Sequence, residues 1–142
     1  MSEPLIFGVP APHVAYTLRR AAYVVIVETG RVALVAGARG FFLPGGGAWA
    51  GERPEATVGR EVREELARGM RRLRRLGAAV QYFYAERDAT HYEMHAVFFT
   101  GALTARRAGN AEHELLWLPP AEAARVCYHE CHAWAVRRAC AG

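Results

Sequence analysis

The sequence predicts one layered domain of the α/β or α+β class. The chain has 142 residues, which suits a single domain. Segments rich in β-branched and aromatic residues recur along it, and one central and one or two late segments carry helix signals. No internal repeat, linker or low-complexity tract divides the chain. We therefore predict a single domain over residues 1–142, with residues 1–15 as a loose arm.

The predicted strands follow the apolar runs. Residues 19–37, RRAAYVVIVETGRVALVAG, indicate two strands around a turn at Thr29 and Gly30. Residues 41–47, FFLPGGG, indicate a short strand that ends in a glycine loop. Three further strands are predicted at residues 78–87, 91–103 and 114–118.

The predicted helices follow proline start signals and helical spacing. Pro54 suits the first turn of a central helix. The apolar stripe of this helix repeats at i, i+4 and i+8, in Val58, Val62 and Leu66. A short helix is predicted near residues 120–126, and a last helix over residues 130–140.

Composition limits the class of protein. Hydrophobic residues make up 52% of the chain and charged residues 23%, as in ordinary globular domains. No apolar run is long enough to span a bilayer, and the N-terminus lacks the pattern of a secretory signal. We expect a cytoplasmic protein without a membrane partner. The net charge is +4 and every basic residue is arginine, which indicates biased genome composition or affinity for polyanions such as phosphates.

The cysteines, the CYHECH segment and the arginine cluster each have a simple structural explanation. The three cysteines, an odd number, are expected to be free thiols. CYHECH, residues 127–132, lacks the two separated ligand pairs of most zinc sites, so we expect it to hold no metal. RRLRR, residues 71–75, could contact nucleotide phosphates or RNA, but a solvated turn or strand start is the simpler interpretation.

Glycines and glutamates meet around the central helix. Residues 45–47 are all glycine, and Glu61, Glu64 and Glu65 are spaced i, i+3, i+4, so their carboxylates are neighbours. Glycine loops allow a close approach of the backbone to a ligand. Carboxylate and carbonyl oxygens suit Mg²⁺ or Mn²⁺, which commonly bridge phosphate oxygens. A cation site is therefore one interpretation of this segment.

A salt-bridged helix face accounts for the same charges. Arg60, Arg63 and Arg68 lie close in sequence, and Glu64 to Arg68 has the favourable i, i+4 order. Repulsion between like charges at this spacing costs only roughly a few tenths of a kcal/mol per pair on an exposed helix. Both interpretations remain open on residue chemistry alone.

The segment resembles the signature of the Nudix hydrolases, G-x5-E-x7-R-E-U-x-E-E-x-G-U, in which U is apolar. Seven positions match in register: Gly46, Glu52, Arg60, Glu61, Val62, Glu64 and Glu65. The resemblance implies a mixed β-sheet sandwiched between helices. It also implies hydrolysis of a nucleoside diphosphate linked to another group, with Mg²⁺ or Mn²⁺ as the cofactor.

The end of the signature departs from the family pattern. Ala67 and Arg68 occupy the glycine and apolar positions, and a Gly-Met pair follows two residues late, at Gly69 and Met70. We predict that the helix runs past Ala67 and ends near Gly69. A degenerate signature is the alternative, and an Arg68–Glu64 pair would then compete with the metal.

The resemblance also implies roles for individual residues. Glu61, Glu64 and Glu65 would bind the cation, together with the carbonyl of Gly45. Arg60 would orient the glutamates and pair with Glu52.

A general base for water is less well defined by the family pattern. It would be Glu61 or a glutamate outside the signature, and the candidates there are Glu112, Glu114 and Glu93. The candidates for substrate contacts are Arg39, Trp49 and Tyr84, with Phe41 and Tyr82 as further aromatic residues that core packing explains equally well.

Three functions compete at this point. The first is a cation-dependent Nudix pyrophosphohydrolase acting on a small nucleotide derivative, with a homodimer as a further expectation. The second is a non-catalytic Nudix-fold domain that binds a nucleotide or sugar-nucleotide as a sensor. The third is an RNA-binding protein that uses the arginine cluster, which would show strongly salt-dependent binding; we do not expect nucleic acid as the partner.

Overall fold

The fold is built around one large mixed sheet. The computed structural model describes residues 4–107 and 109–141. The strands are β1 Leu5–Phe7, β2 Thr17–Glu28, β3 Arg31–Gly37, β4 Gly40–Phe42, β5 Gly45–Gly47, β6 Arg68–Ala85, β7 Thr90–Arg107 and β8 Leu115–Leu118. The helices are α1 Pro54–Leu66, α2 Pro120–Val126 and α3 Glu130–Cys140. The sheet order is β1-β6-β7-β2-β3-β4, with β5 paired to β2 and β8 paired to β3.

Both pairing directions occur in the sheet. β2 runs parallel to β7, and β1 runs parallel to β6, whereas β6 and β7 form a long antiparallel pair. β2 and β3 join through the predicted turn, where Thr29 and Gly30 both have positive φ. The short strand β5 lies antiparallel to β2, which places the glycine run beside the middle of the sheet.

Helices cover both faces of the sheet. Alternate residues of β2 point to opposite faces: Val24 and Ile26 pack with the apolar stripe of α1, and Tyr23 and Val25 pack with the side of α3. The stripe residues Val58, Val62 and Leu66 are buried, as predicted. The predicted mixed sheet sandwiched between helices is confirmed.

β6 is longer than the sequence predicted. It begins at Arg68 rather than near residue 78, and it includes RRLRR, residues 71–75. The four arginines of that segment are exposed, and the pairing with β7 shifts register there. Charged side chains on a strand stretch that β1 does not cover discourage pairing with another chain.

The prediction for the end of α1 is wrong. The helix ends at Leu66, and Ala67 takes a left-handed conformation with φ 56° and ψ 35°. β6 starts directly afterwards, because Arg68 donates from Nε to the carbonyl of Thr104 (2.8 Å) and the Gly69 N–H donates to Oγ1 of Thr104 (3.0 Å). Pairing with β7 thus takes Gly69 into the sheet, and Arg68 does not compete for Glu64.

The N-terminal arm is partly ordered in the sheet. Leu5–Phe7 forms the edge strand β1 along residues 79–81 of β6, rather than belonging to a loose arm. Residues 1–3 of the predicted arm lie outside the described residues. Among the helices of the described ranges, none has the length and apolar character that a membrane crossing requires.

The CYHECH segment contributes to the core. The thiols of Cys127, Cys131 and Cys140 are free, and Cys131 is buried. His132 is fully buried, and its Nδ1 accepts a hydrogen bond from the Leu43 N–H (3.1 Å). This bond joins α3 to the segment between β4 and β5, so the histidine has a structural role.

Candidate active site

The glycine strand β5 holds two carboxylates of α1 against its backbone. The Gly45 N–H donates to Oε1 of Glu65 at 2.9 Å. A Cβ at Gly46 would lie 2.8 Å from Cδ of Glu61, and one at Gly45, where φ is 138°, would lie 2.2 Å from the carbonyl of Ala22. No larger residue fits these two positions. Glu65 is consequently only 9% exposed.

Arg60 lies at the centre of an ion-pair network. Its Nε donates to Oε2 of Glu52 (2.8 Å), and its Nη1 donates to Oε1 of Glu61 (2.8 Å). The contact with Glu64 is longer, at 3.4 Å. Nη2 donates to the Gly47 carbonyl (2.8 Å), which fixes α1 to β5. The predicted pairing of Arg60 with Glu52 is therefore present, and its hydrogen bonds lower the pKa of Glu52 to about 2.

The carboxyl groups of Glu65 and Glu61 have raised pKa values. Burial raises the pKa of Glu65 to about 8, against the hydrogen bond from Gly45, and the charges of Glu61, Glu112 and Glu64 act in the same direction as burial. Burial also raises the pKa of Glu61, against the nearby guanidinium of Arg60. The ionised site thus carries negative charge that the protein compensates only in part.

The segment before β8 is attached to the end of α1. The Glu112 N–H donates to the carbonyl of Glu64 (3.3 Å), and the His113 N–H donates to the carbonyl of Glu65 (2.9 Å). These bonds satisfy two carbonyls of the last helical turn. Glu112 comes near enough to act on the pKa of Glu65, whereas no contact joins the exposed Glu114 to the site among the described residues.

A cavity of about 430 Å³ opens beside these carboxylates. Its lining includes Glu61 and Glu65, the aromatic rings of Phe42 and Phe83, and the imidazole of His129. The ring centroid of His129 lies 4.6 Å from that of Phe83 and 5.6 Å from that of Phe42. Two cationic side chains, Arg19 and Arg87, complete the wall.

The predicted substrate contacts lie outside this cavity. Arg39 forms an exposed ion pair with Glu86. Trp49 is 64% exposed and stacks on the guanidinium of Arg60. Cζ of Arg60 lies 4.0 Å from the ring centroid of Trp49. Tyr84 is exposed and lies against His91. Each has another partner, so the structure does not bring these three together.

One candidate base is also placed elsewhere. Glu93 on β7 is 2.6 Å from Nε2 of His95 and accepts from the hydroxyl of Tyr82 (3.2 Å). Sequence reasoning did not identify the cavity residues Arg19, Phe83, Arg87 and His129, because they come from segments distant in sequence. One signal was available for Arg19, a charge next to the apolar run of β2.

The donors at β5 fit a divalent cation chemically. Glu61 and Glu65 offer oxygen ligands beside a backbone that leaves no room for other side chains, and burial raises the pKa values of both carboxyl groups. Within residues 4–107 and 109–141, no three His, Cys, Asp or Glu side chains are arranged to hold a metal ion. The guanidinium of Arg60 contacts Glu61 and Glu64 instead.

We expect the variant His129→Gln to keep more of its stability in acid than the unmodified protein. Burial, with the charge of Arg19, lowers the pKa of His129 to about 4, against about 6.5 in an unfolded chain. The unfolded state binds the proton first, so stability present above pH ~6.5 is lost as the pH falls toward ~4. This residue accounts for about 3 kcal/mol over that interval.

Urea unfolding at pH ~7 and pH ~4.5 measures the difference. The exposed His13→Asn serves as a control and should follow the unmodified protein. Equal losses of unfolding free energy in all three proteins would show that His129 does not titrate as its burial requires.

Comparisons with known proteins agree with this fold. A family model described as the NUDIX domain matches residues 17–138. No curated protein sequence matches the chain. Among solved structures, a NUDIX hydrolase from Nitrosomonas europaea is 16% identical, with a TM-score of 0.66 over 87% of this chain and 88% of that one.

Two further solved structures share the fold. A MutT NUDIX hydrolase from Burkholderia pseudomallei is 24% identical, with a TM-score of 0.65 over 86% of this chain and 98% of that one. The E. coli dihydroneopterin triphosphate pyrophosphohydrolase is 20% identical, with a TM-score of 0.63 over 84% and 92%. Since the NUDIX domain match covers most of the sequence, the chain belongs to the Nudix family of hydrolases that act on pyrophosphate bonds.

Proposed function

We propose that the protein hydrolyses a pyrophosphate bond in a nucleoside diphosphate linked to another group, with Mg²⁺ or Mn²⁺ as its cofactor. The main supporting observation is that Glu61 and Glu65 of α1 lie against β5, at the wall of a cavity that also presents arginine and aromatic side chains. Members of the Nudix family generally use divalent cations, and the donor set at this wall fits one.

The cation would be held by Glu61, Glu64 and Glu65 and by the carbonyl of Gly45. When bound, it supplies positive charge to the phosphate oxygens and to the attacking water. Arg60 positions Glu61 by donating a hydrogen bond from Nη1 to its Oε1.

The proton of the attacking water needs an acceptor within hydrogen-bond reach. Glu61, Glu112 and Glu114 are the proposed bases. Glu112 has the best support outside the signature, because its backbone is bonded to α1 and its charge acts on Glu65.

The aromatic part of the cavity suits the planar group of a nucleotide. Phe42 and Phe83 present ring surface, and His129 lies between them. Because the pKa of His129 is lowered to about 4, its imidazole is neutral at pH ~7 and can both donate and accept a hydrogen bond. Arg87, exposed at the cavity wall, adds positive charge for a polyphosphate.

A nucleotide sensor is the second candidate, and one observation favours it. Arg60 already neutralises part of the acidic cluster, through Glu52, Glu61 and Glu64. A protein in which this network persists would bind a nucleotide through the cavity without turnover.

A substrate screen separates the two functions. Nucleoside triphosphates, ADP-ribose, NADH, coenzyme A and diadenosine polyphosphates are incubated with the protein and Mg²⁺ or Mn²⁺. We expect cation-dependent cleavage of at least one compound, and its loss when a chelator is added. Saturable binding of a nucleotide with no cleavage under any of these conditions would support the sensor instead. Salt-sensitive RNA binding alone would overturn both.

A further inference from the structure

Arg19 of β2 lies over the third glycine of the β5 run. A Cβ at Gly47 would lie 3.2 Å from Nη2 and 3.3 Å from Cζ of Arg19. The Gly45 N–H bonds to Glu65, a Cβ at Gly46 would meet Glu61, and a Cβ at Gly47 would meet the Arg19 guanidinium. Successive strand residues point to opposite faces, so Glu61 and Arg19 approach β5 from different sides, and both line the same cavity.

The protein offers Arg19 few partners of its own. Its Nε is buried and has no hydrogen-bond partner among the described residues, whereas the guanidinium also hydrogen-bonds to the side chain of Tyr23. Among the described residues, no carboxylate forms an ion pair with it within 4.0 Å, although Tyr92 lies below the guanidinium at 5.9 Å. Burial is the largest influence on the pKa values of Glu61 and His129, and the charge of Arg19 lowers both. Arg19 thus adds positive charge to the cavity while retaining free donor capacity.

We propose that Arg19 binds a phosphate of the substrate in the cavity that Glu61 and Glu65 also line. This inference rests on the proposed function and adds to it the side chain that holds a phosphate of the substrate. A guanidinium can contact two oxygens of one phosphate at once, which fixes orientation as well as affinity.

The neighbouring residue Arg20 offers a matched control. It lies on the same strand but is exposed on the opposite face, where it lines a separate cavity. Arg19→Gln and Arg20→Gln make the same chemical change at adjacent positions, so a general effect of net charge would appear in both variants. Arg19→Lys keeps the charge and removes the forked geometry.

Calorimetric titration with inorganic pyrophosphate, in the presence of Mg²⁺, tests the inference without requiring the natural substrate. We expect Arg19→Gln to weaken pyrophosphate binding about 10- to 100-fold, because a charge-assisted contact is lost. Arg19→Lys should be intermediate, and Arg20→Gln should match the unmodified protein. Titration with Mg²⁺ alone should show an affinity in Arg19→Gln that is no weaker than in the unmodified protein, because the charge of Arg19 opposes the cation, and thermal melts check that each variant is folded.

The outcomes separate this inference from the proposed function. Equal pyrophosphate affinity in Arg19→Gln and the unmodified protein overturns the role of Arg19, and cation-dependent cleavage in the screen would still stand. An equal loss in Arg19→Gln and Arg20→Gln also overturns it, because net charge alone would explain the binding. Pyrophosphate binding that depends on Arg19, without cleavage of any compound, supports the inference and refutes the hydrolase.

Discussion

Glu65→Gln is expected to reduce cation-dependent hydrolysis by about three orders of magnitude. Gln keeps an oxygen that accepts the hydrogen bond from Gly45, so β5 and α1 stay together. It removes the charge of the proposed ligand with the deepest burial. Initial rates on the best compound from the screen, measured at saturating cation, give the size of the loss.

The same variant should respond less to the cation. Mg²⁺ at a hundredfold excess over its Kd stabilises the unmodified protein by about 2.7 kcal/mol, and Glu65→Gln should gain much less. Without the cation, it should melt at the same or a higher temperature, because a buried carboxylate is absent. Glu55→Gln, an exposed change in the first turn of α1, is the control. Full turnover and a full Mg²⁺ response in Glu65→Gln would exclude Glu65 from the site.

Arg60→Gln is expected to lower the free energy of unfolding by about 3 kcal/mol in the absence of a cation. Arg60 is 8% exposed, and its removal leaves Glu52 and Glu61 without their shared partner. It also removes the donor to the Gly47 carbonyl that fixes β5 to α1. Chemical denaturation in a chelator measures the change.

Added Mg²⁺ should recover part of the lost stability in Arg60→Gln, because the cation compensates the negative charges of Glu61 and Glu64 in place of the guanidinium. Arg53→Gln removes an exposed arginine just before α1, whose contact with Glu55 is 4.0 Å, and should change stability by at most about 0.5 kcal/mol. If both arginine variants unfold alike, the network around Arg60 contributes no more than a solvated helix face.

The sequence predicted the fold class and located the carboxylates of the candidate site because both depend on local spacing. The apolar stripe of α1 and the strand runs of β2 and β3 are visible in residue periodicity. The end of α1 was not predictable in this way. Its position depends on Arg68 and Gly69 binding Thr104, a residue more than thirty positions away. Long-range pairing determined where the helix stops.

The cavity was even less accessible to sequence reasoning. Its walls combine β2, β4, β6 and the start of α3, and no spacing rule joins Arg19 to Phe83 or His129. Trp49 and Tyr84 are aromatic residues that the sequence offered as substrate contacts. In the structure, Trp49 packs on Arg60 and Tyr84 packs on His91, so neither ring faces the cavity. The residue types indicated which side chains could contact a nucleotide, whereas the direction in which each side chain points depended on the assembled sheet.

A single residue, Ala67, connects α1 to β6, and its N–H is already bonded to the carbonyl of Arg63. The carboxylate-bearing helix is therefore clamped at both ends, by Ala67 and the His113 segment at one end and by the Arg60–Gly47 bond nearer the other. Its freedom to slide or rotate against the sheet is small. Among the described residues, no hydrogen bond joins Phe42, Phe83 or His129 to α1, so we expect that side of the cavity to accommodate a different substrate without displacing the carboxylates.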